Sequence, residues 1–198
     1  MNWPAALLVV AGYLLGSLSF ALLLVRWRTG TDIRKEGSGN AGATNVLRAH
    51  GKALGLAVAL LDVAKGAAAV LLVRIVTADP RYAAAAGFAA ILGHVFPLYS
   101  GFRGGKGVAT AIGAFLVLAP AATLACLAIF LGLVAATRYV SLGSVVAMVL
   151  LPPAAGLLSH APLAVVIAAA ATALLVVFKH IENLKRLARG EERKFGRQ

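Results

Sequence analysis

Charged residues and cysteine are both scarce in this 198-residue chain. Only 13% of the residues are charged, whereas 61% are hydrophobic. A soluble domain is usually about half apolar and about a quarter charged, so the composition excludes an ordinary soluble domain and predicts a membrane protein. The single cysteine, Cys126, lies in an apolar run, which excludes an intramolecular disulfide or a cysteine-based zinc site.

Acidic residues are also few. The chain has seven Asp and Glu against 19 Lys and Arg, for a net charge of +12. In a soluble protein this excess would suggest a nucleic-acid partner. In a membrane protein it indicates first which loops face the cytosol, because cytosolic loops are enriched in Lys and Arg. We therefore expect membrane lipid, and no nucleic acid, among the partners.

The N-terminal apolar run, residues 3–25, lacks the features of a cleaved signal peptide. No Lys or Arg precedes it, it is longer than a typical signal-peptide core, and Arg26 and Arg28 follow it. This pattern predicts a retained first helix with its N-terminus outside the cell.

Apolar runs and helix breakers predict about seven membrane-spanning helices, each needing about 20 residues to cross the bilayer. The candidate spans are 3–25, 53–76, 82–98, 107–119, 120–137, 141–158 and 161–178. The fourth is short, and the fourth and fifth could form one helix kinked at Pro120. Keeping both places 16 of the 19 Lys and Arg in cytosolic segments (26–52, 99–106, 138–140 and 179–198), as the positive-inside tendency requires. The prediction is an all-α integral membrane protein, one domain over residues 1–198, with a cytosolic C-terminus.

Two features inside the spans carry structural predictions. Gly12 and Gly16 form a GxxxG pattern in the first span, and small residues at this spacing let helices approach closely in lipid. Asp62 and Lys65 lie three residues apart inside the second span. Because charges within a membrane are costly, we expect these two to pair with each other as a structural element.

The first polar cytosolic segment, GSGNAGATN at residues 37–45, predicts a phosphate-binding loop. Its glycines permit positive φ, so that backbone N–H groups can point inward together. Its candidate ligands are Ser38, Gly39, Asn40, Gly42, Thr44 and Asn45, followed by Arg48, whose forked cation suits phosphate. The segment also matches G-x-G-x-x-G, but a dinucleotide fingerprint needs a preceding strand, and here a membrane span precedes it. The alternative is a flexible turn with helix-capping Ser and Asn.

The second segment joins the third and fourth spans. Pro97 ends the third span, and Gly104, Gly105, Lys106 and Gly107 open the fourth. A helix N-terminus preceded by glycines binds anions through its N–H groups and dipole. The spacing excludes a Walker A loop. The alternative is that Arg103 and Lys106 only anchor a loop at the headgroups, and a lone histidine such as His94 is more often packed than catalytic.

The third segment, residues 180–192, is expected to continue the seventh span beyond the membrane. His180, Asn183 and Arg186 recur every three residues and so can share one helix face. The alternative is a basic tail attracted to anionic lipid, which we favour for Arg189 and the basic residues after it. The turn at residues 138–144 adds Ser141 and Ser144 on the same predicted side of the membrane.

The predicted topology places all of these segments on one membrane face. A site built from them would be rich in Arg, Lys, His and Asn and poor in carboxylates. Such a site suits a substrate with an anionic head and an apolar tail, together with a small anionic partner. The residues alone therefore indicate an anion-handling membrane protein, most simply an enzyme.

Three stretches carry a family resemblance: GSGNAGATNVLR (37–48), GHVFPLYSGFRGGKGVAT (93–110) and HIENLKRLARGEE (180–192). They resemble the signature segments of the bacterial acyl-phosphate:glycerol-3-phosphate acyltransferases, the PlsY family, in the same order and over nearly the whole chain. The resemblance implies acyl transfer from acyl-phosphate to the 1-hydroxyl of glycerol 3-phosphate, giving lysophosphatidic acid and phosphate for phospholipid synthesis. It implies no metal or coenzyme, and an inner-membrane enzyme whose site faces the cytosol; we expect a monomer.

The resemblance also suggests roles for individual residues. Ser38, Asn40, Thr44 and the loop amides would hold one phosphate, whereas Arg48, Lys106 and Asn183 would hold the other or the glycerol. Ser141 or Ser144 would complete the pocket. The general base would be His180 or His94, or else a phosphate oxygen of a substrate. The H-x-x-x-x-D motif of other acyltransferases is lacking here, because Tyr99 and Lys185 stand five residues after the two histidines.

Two other functional classes remain open from the sequence. A transporter or channel for small organic anions would also use cations and glycine-opened half-helices. However, the polar groups cluster on one predicted side of the membrane instead of at its midplane. A lipid-binding scaffold would explain residues 185–198 but neither of the first two polar segments, with their Gly, Asn and Lys residues.

Overall fold

A computed structural model describes residues 2–196, and every regular element in that range is helical. The helices are α1 (Trp3–Gly16), α2 (Phe20–Thr29), α3 (Ala43–His50), α4 (Lys52–Val76), α5 (Pro80–Val95), α6 (Val108–Leu118), α7 (Pro120–Thr137), α8 (Val140–Leu157), α9 (Leu163–Lys179) and α10 (Ile181–Ala188). Short 3-10 turns cover Ile33–Lys35 and Leu98–Ser100. The predicted all-α class is therefore confirmed. Arg197, part of the expected basic tail, lies outside the described residues.

Within residues 2–196, five helical segments are long and apolar enough to cross a membrane. They are Trp3–Thr29, Lys52–Val76, Pro80–Ser100, Pro120–Thr137 and Val140–Leu157, and the bent pair α9–α10 can supply a sixth. Helix α6 has 11 residues, which at about 1.5 Å per residue is roughly half of the hydrocarbon thickness. A count of seven spans and the orientation of the termini stay predictions.

The first predicted span, residues 3–25, lies within the candidate span Trp3–Thr29, but it consists of two helices and not one. Helix α1 ends at Gly16, and α2 begins at Phe20 after Ser19, whose hydroxyl accepts the amide of Leu22. Because that amide is used by the cap, the carbonyl of Leu18 has lost its helical partner. The Lys65 ammonium of α4 donates to the Leu18 carbonyl at 2.7 Å instead.

The chain divides into two compact units, the first ending at Ala114 and the second beginning at Phe115. In the first unit, glycines bring helix backbones into direct contact. A Cβ built on Gly16 would overlap the backbone of Ala90 in α5, and one on Gly12 would lie 3.0 Å from the Ala86 carbonyl. The close packing predicted from the GxxxG pattern is confirmed, since any side chain at Gly16 would push α5 away.

The first polar segment rests on a small hydrophobic cluster of the first unit. Its buried members come from α2, the 3-10 turn, the loop, α3 and α4: Ala21, Val25, Ile33, Ala41, Val46 and Val58. Ile33 precedes the glycine-rich loop and Ala41 lies near its end, and both are at most 2% exposed. Burying a side chain the size of Val or Ile stabilises the fold by about 1.5–3 kcal/mol, so the loop is anchored at both ends.

The second unit consists of α7, α8 and α9 packed in sequence, with α10 following. The division predicted at Pro120 is confirmed, because α6 ends at Leu118 and Pro120 is the first residue of α7. Proline suits this position, since its missing N–H is one that a helix N-terminus leaves unpaired. Helix α8 packs closely on α7 at Gly143, where an added Cβ would lie 3.0 Å from the Phe130 carbonyl.

The expectation that the third segment simply continues the last span is wrong. Helices α9 and α10 meet at His180 at an angle of 56°. The amide of His180 bonds to the Val177 carbonyl, three residues back, so the Val176 carbonyl loses its helical donor. The imidazole Nδ1 of His180 lies 2.8 Å from that carbonyl and takes the place of the backbone donor.

Candidate active site

The loop at residues 37–42 is organised by the side chain of Asn45. Its amide nitrogen donates to the carbonyls of Ile33, Glu36 and Asn40 at 3.0–3.3 Å, and its oxygen accepts the amide of Ser38 at 2.9 Å. Asn45 is 3% exposed, and the three carbonyls share both N–H donors of its side-chain amide. Asn45 therefore organises the loop, and its contact with phosphate stays a prediction.

Two loop glycines occupy conformations that other residues adopt only with strain. Gly37 and Gly39 have φ of +58° and +73°. A Cβ on Gly37 would also overlap the Asn45 side chain that holds the loop. Glycine is thus required at Gly37 for conformation and space alike.

Helix α3 begins directly after this loop and presents the groups of an anion site. Among the described residues, no side chain caps its N-terminus, where Gly42 is the N-cap residue. The first-turn N–H groups and the helix dipole therefore favour a negative charge there. Thr44 lies in that first turn, and Arg48 follows one turn later on the same face, both half-buried. Ser38 is exposed and Asn40 half-buried in the preceding loop.

The first and second polar segments lie together within the first unit. Arg34 donates to the Ser100 carbonyl at 2.9 Å and pairs with Asp32 at 2.7 Å. The hydrogen bonds from Arg34 lower the pKa of the Asp32 carboxyl to about 2. Glu36 and His50 lie 2.8 Å apart and connect the loop to the end of α3. The first two polar segments are therefore neighbours, whereas the convergence of all three on one membrane face stays a prediction.

The turn that carries Lys106 packs on the end of α5. The Gly105 amide donates to the His94 carbonyl at 3.1 Å, and a Cβ on Gly105 would overlap the His94 imidazole. His94 is buried, and its Nδ1 lies 3.4 Å from Asp62. Asp62 and Lys65 form the predicted ion pair at 2.8 Å. His94 is therefore a packed histidine, which agrees with the more common role expected for it.

A second cluster, in the second unit, is centred on a carboxylate. Glu192 accepts hydrogen bonds from Ser141 at 2.8 Å, from Asn183 at 2.6 Å and from Arg186 at 2.9 Å. All three donors were predicted to lie on the same side of the membrane. Glu192, however, was missed as a site residue. The sequence offers only a weak signal, because Glu191 beside it is chemically identical.

The turn after α10 brings Glu192 back to this cluster. The amides of Gly190 and Glu191 donate to the carbonyls of Leu187 and Arg186, and Gly190 has φ of +73°. This is the glycine-dependent Schellman ending of a helix. Further along, the Phe195 amide donates to the Arg138 carbonyl at 2.6 Å, and Lys194 lies 5.5 Å from the Tyr139 ring centre. The segment after α10 is thus tied to the start of α8.

The electrostatics of Glu192 follow from its partners. Burial disfavours a carboxylate and would raise its pKa. The hydrogen bonds from Asn183, Ser141 and Arg186 outweigh burial, so that the pKa of Glu192 lies below its ordinary value of 4.5. Glu192 is therefore an anion at neutral pH and holds its three donors in fixed positions.

Two further predicted site residues of the second unit, His180 and Ser144, contact backbone carbonyls instead of Glu192. His180 is 3% exposed, and because the Val176 carbonyl can only accept, Nδ1 carries the proton of the neutral ring. Its Nε2 is then an acceptor, as a general base requires. Ser144 is buried and donates to the Val140 carbonyl of its own helix at 2.8 Å, so its proton is not directed to a ligand.

Metal ligands do not cluster in the described part of the chain. Within residues 2–196, no three His, Cys, Asp or Glu side chains are grouped closely enough to hold a metal ion. The chemistry of the two clusters, cationic and amide donors with one carboxylate, instead suits phosphate and hydroxyl groups.

Comparison with known proteins identifies the family. Residues 6–190 match the family model described as glycerol-3-phosphate acyltransferase. Proteins with that name from Geobacter sulfurreducens and Shouchella clausii are 46% and 47% identical; the matches cover 96% of this chain in both cases, and 96% and 95% of those proteins.

Solved structures lead to the same family. The glycerol 3-phosphate form of PlsY, an integral membrane glycerol 3-phosphate acyltransferase, has a TM-score of 0.91 and 39% identity over 97% of this chain and 96% of that one. The lysophosphatidic acid form has a TM-score of 0.87 and 37% identity, covering 97% and 95%. The resemblance seen in the three polar segments is confirmed, and this multi-pass membrane protein belongs to the glycerol-3-phosphate acyltransferase family.

Proposed function

We propose that this protein transfers an acyl chain from acyl-phosphate to the 1-hydroxyl of glycerol 3-phosphate. The products are lysophosphatidic acid, a precursor of phospholipids, and inorganic phosphate. The observation that carries the proposal is the near full-length similarity to a solved glycerol 3-phosphate acyltransferase described in glycerol 3-phosphate and lysophosphatidic acid forms. The uncapped start of α3 with Thr44 and Arg48, and Lys106 in the turn before α6, are groups suited to phosphate-bearing substrates.

The choice of acyl-phosphate as donor rests on the resemblance to the PlsY family, and the chemistry of the chain is compatible with it. Acyl-phosphate is a mixed anhydride and is already activated, so no acyl-enzyme intermediate is needed. The one cysteine, Cys126, is buried in α7, where burial suits a packing role and not a nucleophile. Catalysis then consists of placing the hydroxyl against the carbonyl and neutralising the phosphate as it leaves.

In the first unit, the proposed role is phosphate binding. The first-turn amides of α3, with Thr44 and Arg48 on one helix face, suit a phosphate dianion, and Ser38 and Asn40 add neutral donors.

The backbone amides of Gly39, Gly104 and Gly105 are further candidates for binding phosphate. Of these, the amides of Gly39 and Gly105 donate to the carbonyls of Glu36 and His94, so they shape their turns. Lys106 is the proposed cation for the leaving phosphate.

In the second unit, the proposed role is to hold and activate the glycerol. Ser141 and Asn183, oriented by Glu192, suit the glycerol hydroxyls, and His180 suits the proton. The 1-hydroxyl oxygen attacks the acyl carbonyl carbon, the bond from that carbon to the phosphate oxygen breaks, and the hydroxyl proton passes to Nε2 of His180. Of the two histidines, His180 is favoured, because His94 has its Nδ1 beside Asp62 and its ring against Gly105.

The transfer is tested with purified protein in lipid vesicles. Phosphate release from acyl-phosphate should require glycerol 3-phosphate and match the lysophosphatidic acid formed. Release without glycerol 3-phosphate would indicate a hydrolase. Movement of glycerol 3-phosphate across the vesicle without any release would indicate a transporter instead.

The proposed base is tested with His180→Ala. Removing a general base typically lowers kcat by about 100- to 10,000-fold. A loss of only a few-fold, with the family reaction intact, would transfer the role of base from His180 to a phosphate oxygen of a substrate.

The proposed location is a bacterial inner membrane, with a monomeric enzyme, its N-terminus outside and its site facing the cytosol. Because Cys126 is the only cysteine, single-cysteine variants on a Cys126→Ala background can test the topology. Tyr99→Cys should react with an impermeant thiol reagent only in inside-out vesicles, and Ala78→Cys only in right-side-out vesicles. Labelling of both variants from the same side of the membrane would contradict the topology. For the oligomeric state, a mass from equilibrium sedimentation above that of one protein chain would contradict the monomer.

A further inference from the structure

His94 contacts the turn of Lys106 through both its backbone and its side chain. Its carbonyl accepts the Gly105 amide at 3.1 Å, and its imidazole Nε2 lies where a Cβ of Gly105 would stand. The turn continues along α5, since a Cβ on Gly107 would lie 3.1 Å from Ile91 and Val95. The glycines of this turn therefore let it lie directly on the end of α5.

The imidazole of His94 is itself fixed by buried charges. Its Nδ1 lies 3.4 Å from Asp62, Asp62 lies 2.8 Å from the Lys65 ammonium, and Lys65 donates to the Leu18 carbonyl at 2.7 Å. These three side chains are 6%, 2% and 1% exposed. Leaving a buried charge without its partner is costly, so these contacts favour one position of the ring.

This arrangement connects His94 to Lys106, a proposed substrate contact. Lys106 immediately follows Gly105, so any displacement of Gly105 moves the Lys106 backbone as well. A misplacement of about 1 Å of a catalytic group can cost roughly 100-fold in rate. The contacts of His94 are of the kind that prevents such a displacement.

We propose that His94 is a positioning residue for Lys106, held by Asp62 and Lys65 and acting through Gly105. The inference rests on the proposed function only for the role of Lys106 in catalysis. Burying Asp62 and Lys65 in α4 costs free energy even when they pair, and holding His94 gives this buried pair a function. The proposal gives His94 no part in proton transfer.

A double-mutant cycle distinguishes positioning from direct catalysis. His94→Ala should lower kcat/KM by about 100-fold in the wild-type background, but by less than about three-fold when Lys106 is already alanine, since the residue it positions is gone. An equal loss in both backgrounds would overturn the proposal. His94→Gln, which cannot act as a base but carries an amide toward Gly105, should retain at least ten times the activity of His94→Ala.

The two neighbouring glycines provide a matched steric test. Gly105→Ala overlaps the His94 ring, whereas Gly104→Ala overlaps the His94 carbonyl and Pro97. Adding His94→Ala should therefore bring Gly105→Ala up to the activity of His94→Ala alone, because the ring is the obstacle there, but should leave Gly104→Ala below that level, because backbone remains the obstacle. Failure to restore the first, or equal restoration of both, would contradict contact through the ring.

A measurement that needs no activity keeps the test independent of the proposed function. Amide hydrogen exchange at residues 103–107 should be at least ten-fold faster in His94→Ala and in Asp62→Asn than in the wild type. Unchanged exchange in both variants would overturn the proposal even if the protein transfers acyl chains. Faster exchange in a protein that transfers none would refute the function while retaining the positioning.

Discussion

Two ion pairs of identical spacing occur in very different surroundings. Asp62 and Lys65 in α4 are three residues apart and 2.8 Å from each other, and so are Glu182 and Lys185 in α10. The side chains of the first pair are at most 2% exposed, whereas those of the second are 57% and 71% exposed. Spacing along a helix thus sets the distance, and the surroundings decide what the pair does.

The buried pair has contacts that the exposed pair lacks in the described structure. Lys65 also donates to the Leu18 carbonyl at the α1–α2 break, and its ammonium lies 5.5 Å from the centre of the Phe20 ring. Exposed pairs of this kind contribute little, because water screens the charges and the long side chains lose entropy. The spacing in a sequence therefore predicts that an ion pair will form, but it does not predict how much that pair contributes to stability.

The largest expected effect comes from leaving one buried charge without its partner. Asp62→Ala strands the Lys65 ammonium and should destabilise the protein by about 3–5 kcal/mol, the usual cost of breaking a buried pair. The measurement is reversible unfolding of the purified protein in detergent or bicelles, followed by circular dichroism.

The matched control is Glu182→Ala, which breaks a pair of the same spacing on the protein surface. It should leave the unfolding midpoint unchanged within error. Adding Lys65→Ala to Asp62→Ala removes the stranded charge and should recover part of the lost stability. Equal effects of Asp62→Ala and Glu182→Ala would show that burial does not set the importance of these pairs.

The next effect extends the comparison to two adjacent glutamates. Glu192 accepts bonds from Ser141, Asn183 and Arg186, whereas Glu191 is exposed. Glu192→Gln replaces two charge-assisted acceptors by one neutral oxygen and an amide donor. It should lower kcat/KM by about ten- to 100-fold, because hydrogen bonds to charged groups contribute about 1.5–3 kcal/mol.

Glu191→Gln is the control for this substitution, because it changes the net charge equally. It should retain full activity in the same glycerol 3-phosphate-dependent assay. If both variants lost activity to the same extent, the effect would follow from the charge of the tail and not from the contacts of Glu192.

Two glycine-to-alanine substitutions are expected to have smaller effects on stability, and these effects should be opposite in sign to each other. Gly190 has φ of +73° at the end of α10, so Gly190→Ala should destabilise the fold by about 1 kcal/mol. Gly132 lies within α7 with no atom within 4 Å of an added Cβ. Gly132→Ala should therefore stabilise by about 0.5–1 kcal/mol, because alanine favours the helix. Unfolding midpoints that move in the same direction would contradict this assignment of strain.

Residue patterns predicted the parts of the molecule that depend on local physics. Apolar runs with Pro120 as a breaker gave the helices, the GxxxG pattern gave a packing face, and the i, i+3 spacing gave the Asp62–Lys65 pair. Each of these follows from neighbours within about one or two helical turns. The resemblance, not the local patterns, gave the reaction.

What escaped prediction depends on groups that are distant in sequence. The break at Leu18 involves Lys65, 47 residues away, and the cluster of Ser141 involves Glu192, 51 residues away. The bend at His180 was missed for another reason, because a side chain replaces a backbone donor there. Asn45 and Ser144, both predicted as ligands, make hydrogen bonds to the backbone, and their contact with substrate stays a prediction.

The smallest effect concerns pH and tests the electrostatics of the buried glutamate. Hydrogen bonds hold the pKa of Glu192 below its ordinary value of 4.5 in the folded protein. As pH falls below 4.5 the unfolded chain takes up a proton first, so folding loses the contribution of this carboxylate. The contribution should therefore be constant above about pH 5.5, decline below 4.5 and vanish once the pH has fallen through the lowered pKa.

The difference in unfolding midpoint between the wild type and Glu192→Gln measures this contribution directly. It should be flat from neutral pH down to about pH 5.5 and then shrink toward zero as the solution becomes more acidic. Glu191→Gln, measured over the same range, corrects for the loss of one negative charge from the tail. A difference that grows with acidity would mean that Glu192 is protonated more readily in the folded protein than in the unfolded chain. Burial would then outweigh its three hydrogen bonds, and an anionic Glu192 could no longer explain the fixed positions of Ser141, Asn183 and Arg186.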